Sequence, residues 1–163
     1  VQLFKQLRVL HKFPRAYVKV LRVCAMLHDI GSTFKFYNNA KHTAYMILNS
    51  NLYGISHRDL VLAALVTDVN NKEGTNYTEW AKYNCILSPE DVEAVKKLSV
   101  ILRLATALDF GMRNAVTELS CDVLGDSVIM KTELTCDAEL ELKAANLLGV
   151  DFKKVFKKNL EIL

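Results

Sequence analysis

Apolar and basic positions alternate with a helical period along the amino-terminal part of the chain. An apolar row from Leu3 to Leu10 predicts one amphipathic helix, which must end before Pro14 because proline lacks the amide that an interior helical position needs. A second helix follows, and the apolar row from Tyr17 to Leu27 is its predicted inward face. His28 continues that row, so we expect its imidazole to point into the core.

More helices are predicted further along the chain. One spans about 40–50. The next begins after the capping residue Ser56, and its residues 60–66 are apolar all round, which is typical of a central helix. Another runs from Ser88 to about Asp109, with a proline at its first helical position.

The pattern changes to alternation with a period of two after residue 114. Residues 115–123 and 127–134 are strand-like and flank a Gly-Asp pair, which predicts a hairpin. A helix is expected over 138 to about 157, with a break near its glycine, and residues 160–163 suit a final strand.

Together these elements predict a mainly α fold. A helical body of about five to six helices precedes a small β-β-α-β layer. We place the division at residues 1–114 and 115–163, with the second part packed on the first as one structural unit.

The charge of the chain is strongly polarised. Residues 1–58 hold nine basic residues and one acid, whereas the rest hold twelve basic and seventeen acidic residues. Such asymmetry indicates either a surface that binds a polyanion or a solvated helix face. The candidate polyanion contacts are Lys12, Arg15, Arg22, Lys35 and Lys41.

Several functional classes are excluded or disfavoured. No apolar run reaches bilayer length, and no signal peptide is visible, so we expect a cytoplasmic protein without a membrane partner. The four cysteines lack zinc-type spacing, which favours free thiols.

One adjacent pair, His28-Asp29, carries candidate metal chemistry. Imidazole and carboxylate are common ligands of a divalent ion in hydrolytic sites. A phosphohydrolase of the HD type would add an upstream histidine and a late aspartate on another helix. His42 and Asp109 are the candidate further ligands, whereas His11, the one upstream histidine, is close to the pair. A core histidine bonded to its neighbour is the competing interpretation.

Three segments together resemble one family. They are Leu27-His28-Asp29-Ile30-Gly31, residues 45–56 from Tyr45 to Ser56, and residues 102–109 from Leu102 to Asp109. In this order they resemble the carboxy-terminal HD-like domain of the exopolyphosphatase and guanosine pentaphosphate phosphatase (Ppx/GppA) family. The resemblance spans almost the whole chain.

Two departures from the family pattern concern the metal site. The family often has a histidine after the central helix, where this chain has Val69-Asn70-Asn71-Lys72. It typically has an aspartate, the late ligand of metal-binding HD proteins, where this chain has Thr106. The resemblance therefore implies a vestigial or weak metal site at His28, Asp29, His42 and Asp109.

The resemblance also implies a division of labour. Hydrolysis in this family takes place between two amino-terminal domains of the actin-like ATPase fold, with magnesium, and this chain alone would be inactive. The implied role is an accessory domain that assists polyphosphate or guanosine pentaphosphate (pppGpp) binding and forms a homodimer, with no specific nucleic-acid partner.

Two alternatives remain open. One is a free-standing HD-type phosphohydrolase of a nucleotide, with Mn²⁺ or a similar ion at His28 and Asp29. The other is a regulatory nucleotide-binding module, which would need a cleft near the basic helices.

Overall fold

A computed structural model of the chain describes residues 1–69 and 80–163. It is mainly α-helical with a small carboxy-terminal β layer, which confirms the predicted fold class. The helices are α1 (Gln2–Gln6), α2 (Arg8–His11), α3 (Tyr17–Leu27), α4 (Asn39–Leu48), α5 (His57–Val69), α6 (Pro89–Ala107), α7 (Glu139–Asn146) and α8 (Gly149–Phe156). The strands are β1 (Val116–Leu124), β2 (Ser127–Leu134) and β3 (Asn159–Ile162). Short 3₁₀ turns span Ile30–Thr33 and Ala81–Tyr83.

The chain forms two compact units. One consists of Phe13–Ser99, and the other of Val1–Lys12 with Val100–Leu163. This division differs from the predicted boundary at residue 114, because α1 contacts β1 and so joins the β layer in its unit. The assignment of residues 1–114 and 115–163 as separate domains stays a prediction.

Helix α5 is the centre of the Phe13–Ser99 unit. All residues from Leu60 to Asp68 are buried, as the apolar run predicts, and both α3 and α4 contact this helix. The predicted cap is present, since the Ser56 hydroxyl accepts a hydrogen bond from the Asp59 amide at 3.1 Å. A helix that is apolar on all sides is therefore covered on all sides.

A buried carboxylate ties the start of α6 to two other helices. Asp91 is fully buried and accepts hydrogen bonds from the Ser88 amide at 2.9 Å and the Tyr17 hydroxyl at 2.8 Å. The Arg58 guanidinium binds the same carboxylate with two nitrogens. The Ser88 hydroxyl in turn accepts from the Asp91 amide, which completes the predicted cap of α6. Asp91 therefore joins α3, α5 and α6.

These contacts set the ionisation of the group. Burial opposes the charge on Asp91, but the hydrogen bonds from Ser88, Tyr17 and Arg58 outweigh it and hold the pKa of the carboxyl below its usual value. Burial and the neighbouring carboxylate raise the pKa of Tyr17 to about 12. At pH 7 the Asp91 carboxylate is therefore ionised and the Tyr17 phenol is neutral.

The other unit is built on a three-stranded sheet of order β1-β2-β3. Strands β1 and β2 form the predicted antiparallel hairpin, and β3 pairs parallel to β2. The expected helix before β3 is two helices, α7 and α8, with the break just before Gly149 as predicted. Beside the sheet, Glu141 is buried and forms an ion pair with Arg113.

Two further observations concern the thiols and the helix lengths. All four cysteines are free, as the sequence predicts. Within the described ranges, no helix is both long enough and apolar enough to cross a membrane.

We predict that Asp91→Asn destabilises the protein by about 2–3 kcal/mol, because the variant loses a buried charge-assisted hydrogen-bond cluster while Arg58 can still reach water. A carboxyl group whose pKa is lower in the folded than in the unfolded protein stabilises the fold at pH values above the unfolded pKa. This stabilisation is lost as the pH falls below about 4. The unfolding free energy of the wild type, measured by urea denaturation, should therefore fall more steeply between about pH 5 and pH 2 than that of the variant.

The matched control is Glu93→Gln, since Glu93 is an exposed acid on the same helix that pairs with Lys97. It should change the unfolding free energy little. Equal effects of the two substitutions would contradict the structural role of Asp91.

Candidate functional site

The His28-Asp29 pair lies at the end of α3, in the turn before α4. The expectation that His28 points into the core is wrong, since its side chain is exposed. His28 keeps helical backbone angles, but the buried row of α3 ends at Cys24, one turn before it. Its ring nitrogen Nδ1 instead donates back to the Ala25 carbonyl at 3.0 Å.

Asp29 closes the turn and holds the start of α4. Its carboxylate accepts a hydrogen bond from the Asn39 side-chain amide at 3.0 Å. Its backbone carbonyl accepts from the Ser32 amide at 3.0 Å and the Ser32 hydroxyl at 2.7 Å. Both oxygen-bearing groups of Asp29 are thus engaged in local structure.

Gly31 is required because the turn lies against the backbone of α4. Its amide donates to the Thr43 hydroxyl at 3.0 Å. A Cβ at this position would lie 2.2 Å from the Asn39 carbonyl oxygen and 2.5 Å from the Thr43 amide nitrogen. The glycine of the motif therefore permits a close approach of two segments.

Three of the predicted metal ligands, His28, Asp29 and His42, belong to the Phe13–Ser99 unit, whereas Asp109 belongs to the sheet-containing unit. His42 is half-buried, and its ring centre lies 5.1 Å from that of Phe34 in an edge-to-face arrangement. Asp109 is exposed in the turn after α6, which ends two residues earlier than expected. In residues 1–69 and 80–163, no group of three or more His, Cys, Asp or Glu side chains could hold a metal ion. The side chains that the structure describes therefore do not fit the HD metal centre.

Other positions of the HD pattern have structural partners. His11 is buried, stacks on Phe4 at 4.1 Å and binds the Phe4 carbonyl at 2.7 Å. The Thr106 hydroxyl donates to the Arg103 carbonyl within its own helix at 3.0 Å. The departure at Asn70, Asn71 and Lys72 lies outside the described residues.

All five predicted polyanion contacts are exposed, and none forms an ion pair with a described acid. Lys12 belongs to the sheet-containing unit, and the other four belong to the Phe13–Ser99 unit. Arg15 and Arg22 continue through Lys19 as one exposed stripe along α3 and the turn before it. By contrast, Arg58, Arg103 and Arg113 are each held by an acid.

Sequence reasoning missed two clefts that share the side chain of Tyr45. One has a volume of about 280 Å³ and is lined by Phe34, His42, Tyr45 and Met46. The other has a volume of about 200 Å³ and is lined by Lys41, Ala44, Tyr45, Leu48, Asp68, Trp80, Lys82 and Tyr83. The run Phe34-Lys35-Phe36-Tyr37, aromatic residues in a segment predicted as a loop, was the available signal.

We predict that Gly31→Ala lowers the unfolding free energy by about 1–3 kcal/mol, because the added methyl group must displace the backbone of α4. Thermal or urea denaturation measures the change. Gly149→Ala is the control, since its Cβ would meet its nearest neighbour, the Leu160 carbonyl oxygen, at 4.0 Å. Similar losses in the two variants would contradict the packing role of Gly31.

The comparison with known families agrees with these features. Residues 1–154 match the family model described as Ppx/GppA phosphatase, domain III. No curated protein gives a significant match to the chain. Because the family match covers nearly the whole chain, this chain belongs to the Ppx/GppA phosphatase family, in which it corresponds to domain III.

Proposed function

We propose that this chain is an accessory domain that helps a Ppx/GppA hydrolase to bind a long phosphate polyanion. The substrate would be polyphosphate or guanosine pentaphosphate, and the hydrolytic site would lie on actin-like ATPase domains of the same parent. Family membership supports the placement as an accessory domain. The observation that carries the binding role is the stripe of exposed cations along α3, none of which forms an ion pair with a described acid.

The geometry of the stripe suits a linear polyanion. The stripe residues are spaced four and three positions apart: Arg15, Lys19 and Arg22. At helical spacing they project from one side of the helix and span about 10 Å along its axis. Polyphosphate, like nucleic acid, presents closely spaced negative charges. Its binding would release counterions, so the affinity should fall as the salt concentration rises.

The absence of described ion pairs favours these residues over the other cations. A lysine or arginine that is already paired must lose that partner to bind a phosphate, whereas an unpaired one need not. Lys35 and Lys41 meet the same condition as the stripe and belong to the same unit. Lys12 meets it in the other unit.

The proposal also covers the partner domains, the oligomeric state and the location of the parent protein. The match to a third domain supports partner domains within the parent, and the family resemblance supports a homodimer and a cytoplasmic location. Magnesium would serve the amino-terminal domains. A metal-dependent HD phosphohydrolase would need a ligand set that the described side chains do not bring together, so we do not propose one.

We predict that the double charge reversal Arg15→Glu with Arg22→Glu weakens polyphosphate binding about tenfold or more at low salt. The plot of log affinity against log salt concentration should become shallower, with the magnitude of its slope smaller by about one to two, because two phosphate contacts are lost. Fluorescence anisotropy with labelled polyphosphate of defined length, over a series of salt concentrations, measures both quantities on the intact protein.

The control is Lys131→Glu with Lys143→Glu, which changes the net charge equally. These lysines are exposed but already paired with Asp122 and Glu139. The control should keep most of the affinity and the original slope. If both double variants weaken binding equally, the effect comes from net charge, and the assignment to the α3 stripe is wrong.

A further inference from the structure

Aromatic rings are unusually exposed in the turn before α4 and on that helix. Phe34 is 77% exposed, Tyr45 is 68% exposed, and Phe36 and Tyr37 are similarly open. Single exposed apolar residues are ordinary, but a group of large rings on one segment is typical of an interaction surface.

Tyr45 connects two recesses of different character. On one side its ring, with Phe34, His42 and Met46, lines the apolar cleft of about 280 Å³. On the other side it lines the cleft of about 200 Å³ that contains Lys41 and Lys82. Each volume lies below the roughly 300–1,000 Å³ of most small-molecule pockets, so each recess suits one planar group better than a helix or a large ligand.

The exposed charged residues that the structure describes along these clefts and next to Phe34 in the chain are lysines. Lys35 adjoins Phe34 in the chain, and Lys41 and Lys82 line the second cleft. All three lysines are exposed, and none is in an ion pair with a described residue. Among the described residues, the one acid that lines the clefts is Asp68, which is buried and accepts a hydrogen bond from the Trp80 indole at 2.7 Å.

The occupant must therefore combine planar apolar groups with negative charge. We propose that the Tyr45 surface, defined as Phe34, Lys35, Lys41, Tyr45 and Lys82, binds single-stranded nucleic acid without sequence preference. Bases stack on the rings of Phe34 and Tyr45, and the backbone phosphates face the lysines. Stacking platforms flanked by cations are typical of such binding, which tolerates any sequence because every base has a flat face.

Two other occupants fit less well. Inorganic polyphosphate has no planar group and would leave the rings exposed to water. An acidic peptide matches the lysines, but it would bind these small separate recesses with isolated side chains and not along a continuous groove. The two proposals share Lys35 and Lys41, but the nucleic-acid proposal rests on the rings of Phe34 and Tyr45, whereas the polyphosphate role rests on the α3 stripe of Arg15, Lys19 and Arg22.

The test uses fluorescence anisotropy on the intact protein with four probes of equal phosphate number. These are a labelled oligoadenylate RNA, the matching DNA, an abasic oligomer and inorganic polyphosphate. The wild type should bind the RNA or the DNA at least fivefold more tightly than the abasic oligomer. Tyr45→Ala should reduce that affinity about tenfold, the effect expected for one lost base stack, and leave polyphosphate affinity unchanged.

Two variants separate stacking from structure. Tyr45→Phe keeps the flat ring and should retain binding. Tyr53→Ala removes an exposed tyrosine of the same unit that lines neither cleft, and it should also retain binding. Phe34→Ala should weaken base-dependent binding in the same way as Tyr45→Ala.

The RNA and DNA arms tell which nucleic acid the surface prefers. Equal affinity for the abasic and base-containing oligomers would overturn the proposal, and so would unchanged binding by both Tyr45→Ala and Phe34→Ala. Tighter binding of an acidic peptide, with the same dependence on Tyr45, would assign the surface to a protein partner and overturn it as well.

Discussion

The carboxylate of Asp91 fixes the arrangement of three helices in the Phe13–Ser99 unit. It caps α6 through Ser88, accepts from Tyr17 on α3 and binds Arg58 on α5. An ionised group with no solvent exposure is stable only when each oxygen has donors, so these partners must keep their places together. The surfaces assigned to ligands in this unit are carried by α3, by α4, which packs on α5, by the turns that adjoin these two helices, and by the 3₁₀ turn Ala81–Tyr83 that contains Lys82.

Features that depend on neighbouring residues could be predicted from the sequence. The caps at Ser56 and Ser88 follow from residues three positions apart, and the hairpin follows from alternation around Gly125. The partners of Asp91 could not be predicted, because Tyr17 and Arg58 are distant in the chain and no local pattern pairs them. The exposure of His28 was predicted wrongly, because a helical row gives no sign of where burial along it ends, and here the last buried residue of α3 is Cys24.

The family motif and the candidate function of this chain have separate physical bases. Asp29 and Gly31 hold the turn against α4, through Asn39 and Thr43, and this packing alone accounts for both residues without a metal ion. The features suited to ligands are surface properties instead: cations without described acidic partners, and exposed rings. Composition predicted the cations through charge asymmetry, whereas the clefts beside Tyr45 required the fold, because Lys41 and Lys82 lie on different elements.

We propose that the His28-Asp29 motif stabilises a turn and does not need a bound metal ion to do so. Titration of the chelator-treated intact protein with Mn²⁺, with the free ion measured by electron paramagnetic resonance, tests this claim most directly. The wild type, His28→Ala and the control His57→Ala, which removes an exposed histidine elsewhere, should bind the same amount of Mn²⁺. One equivalent of Mn²⁺ bound by the wild type and His57→Ala but lost in His28→Ala would show that the motif does hold a metal ion.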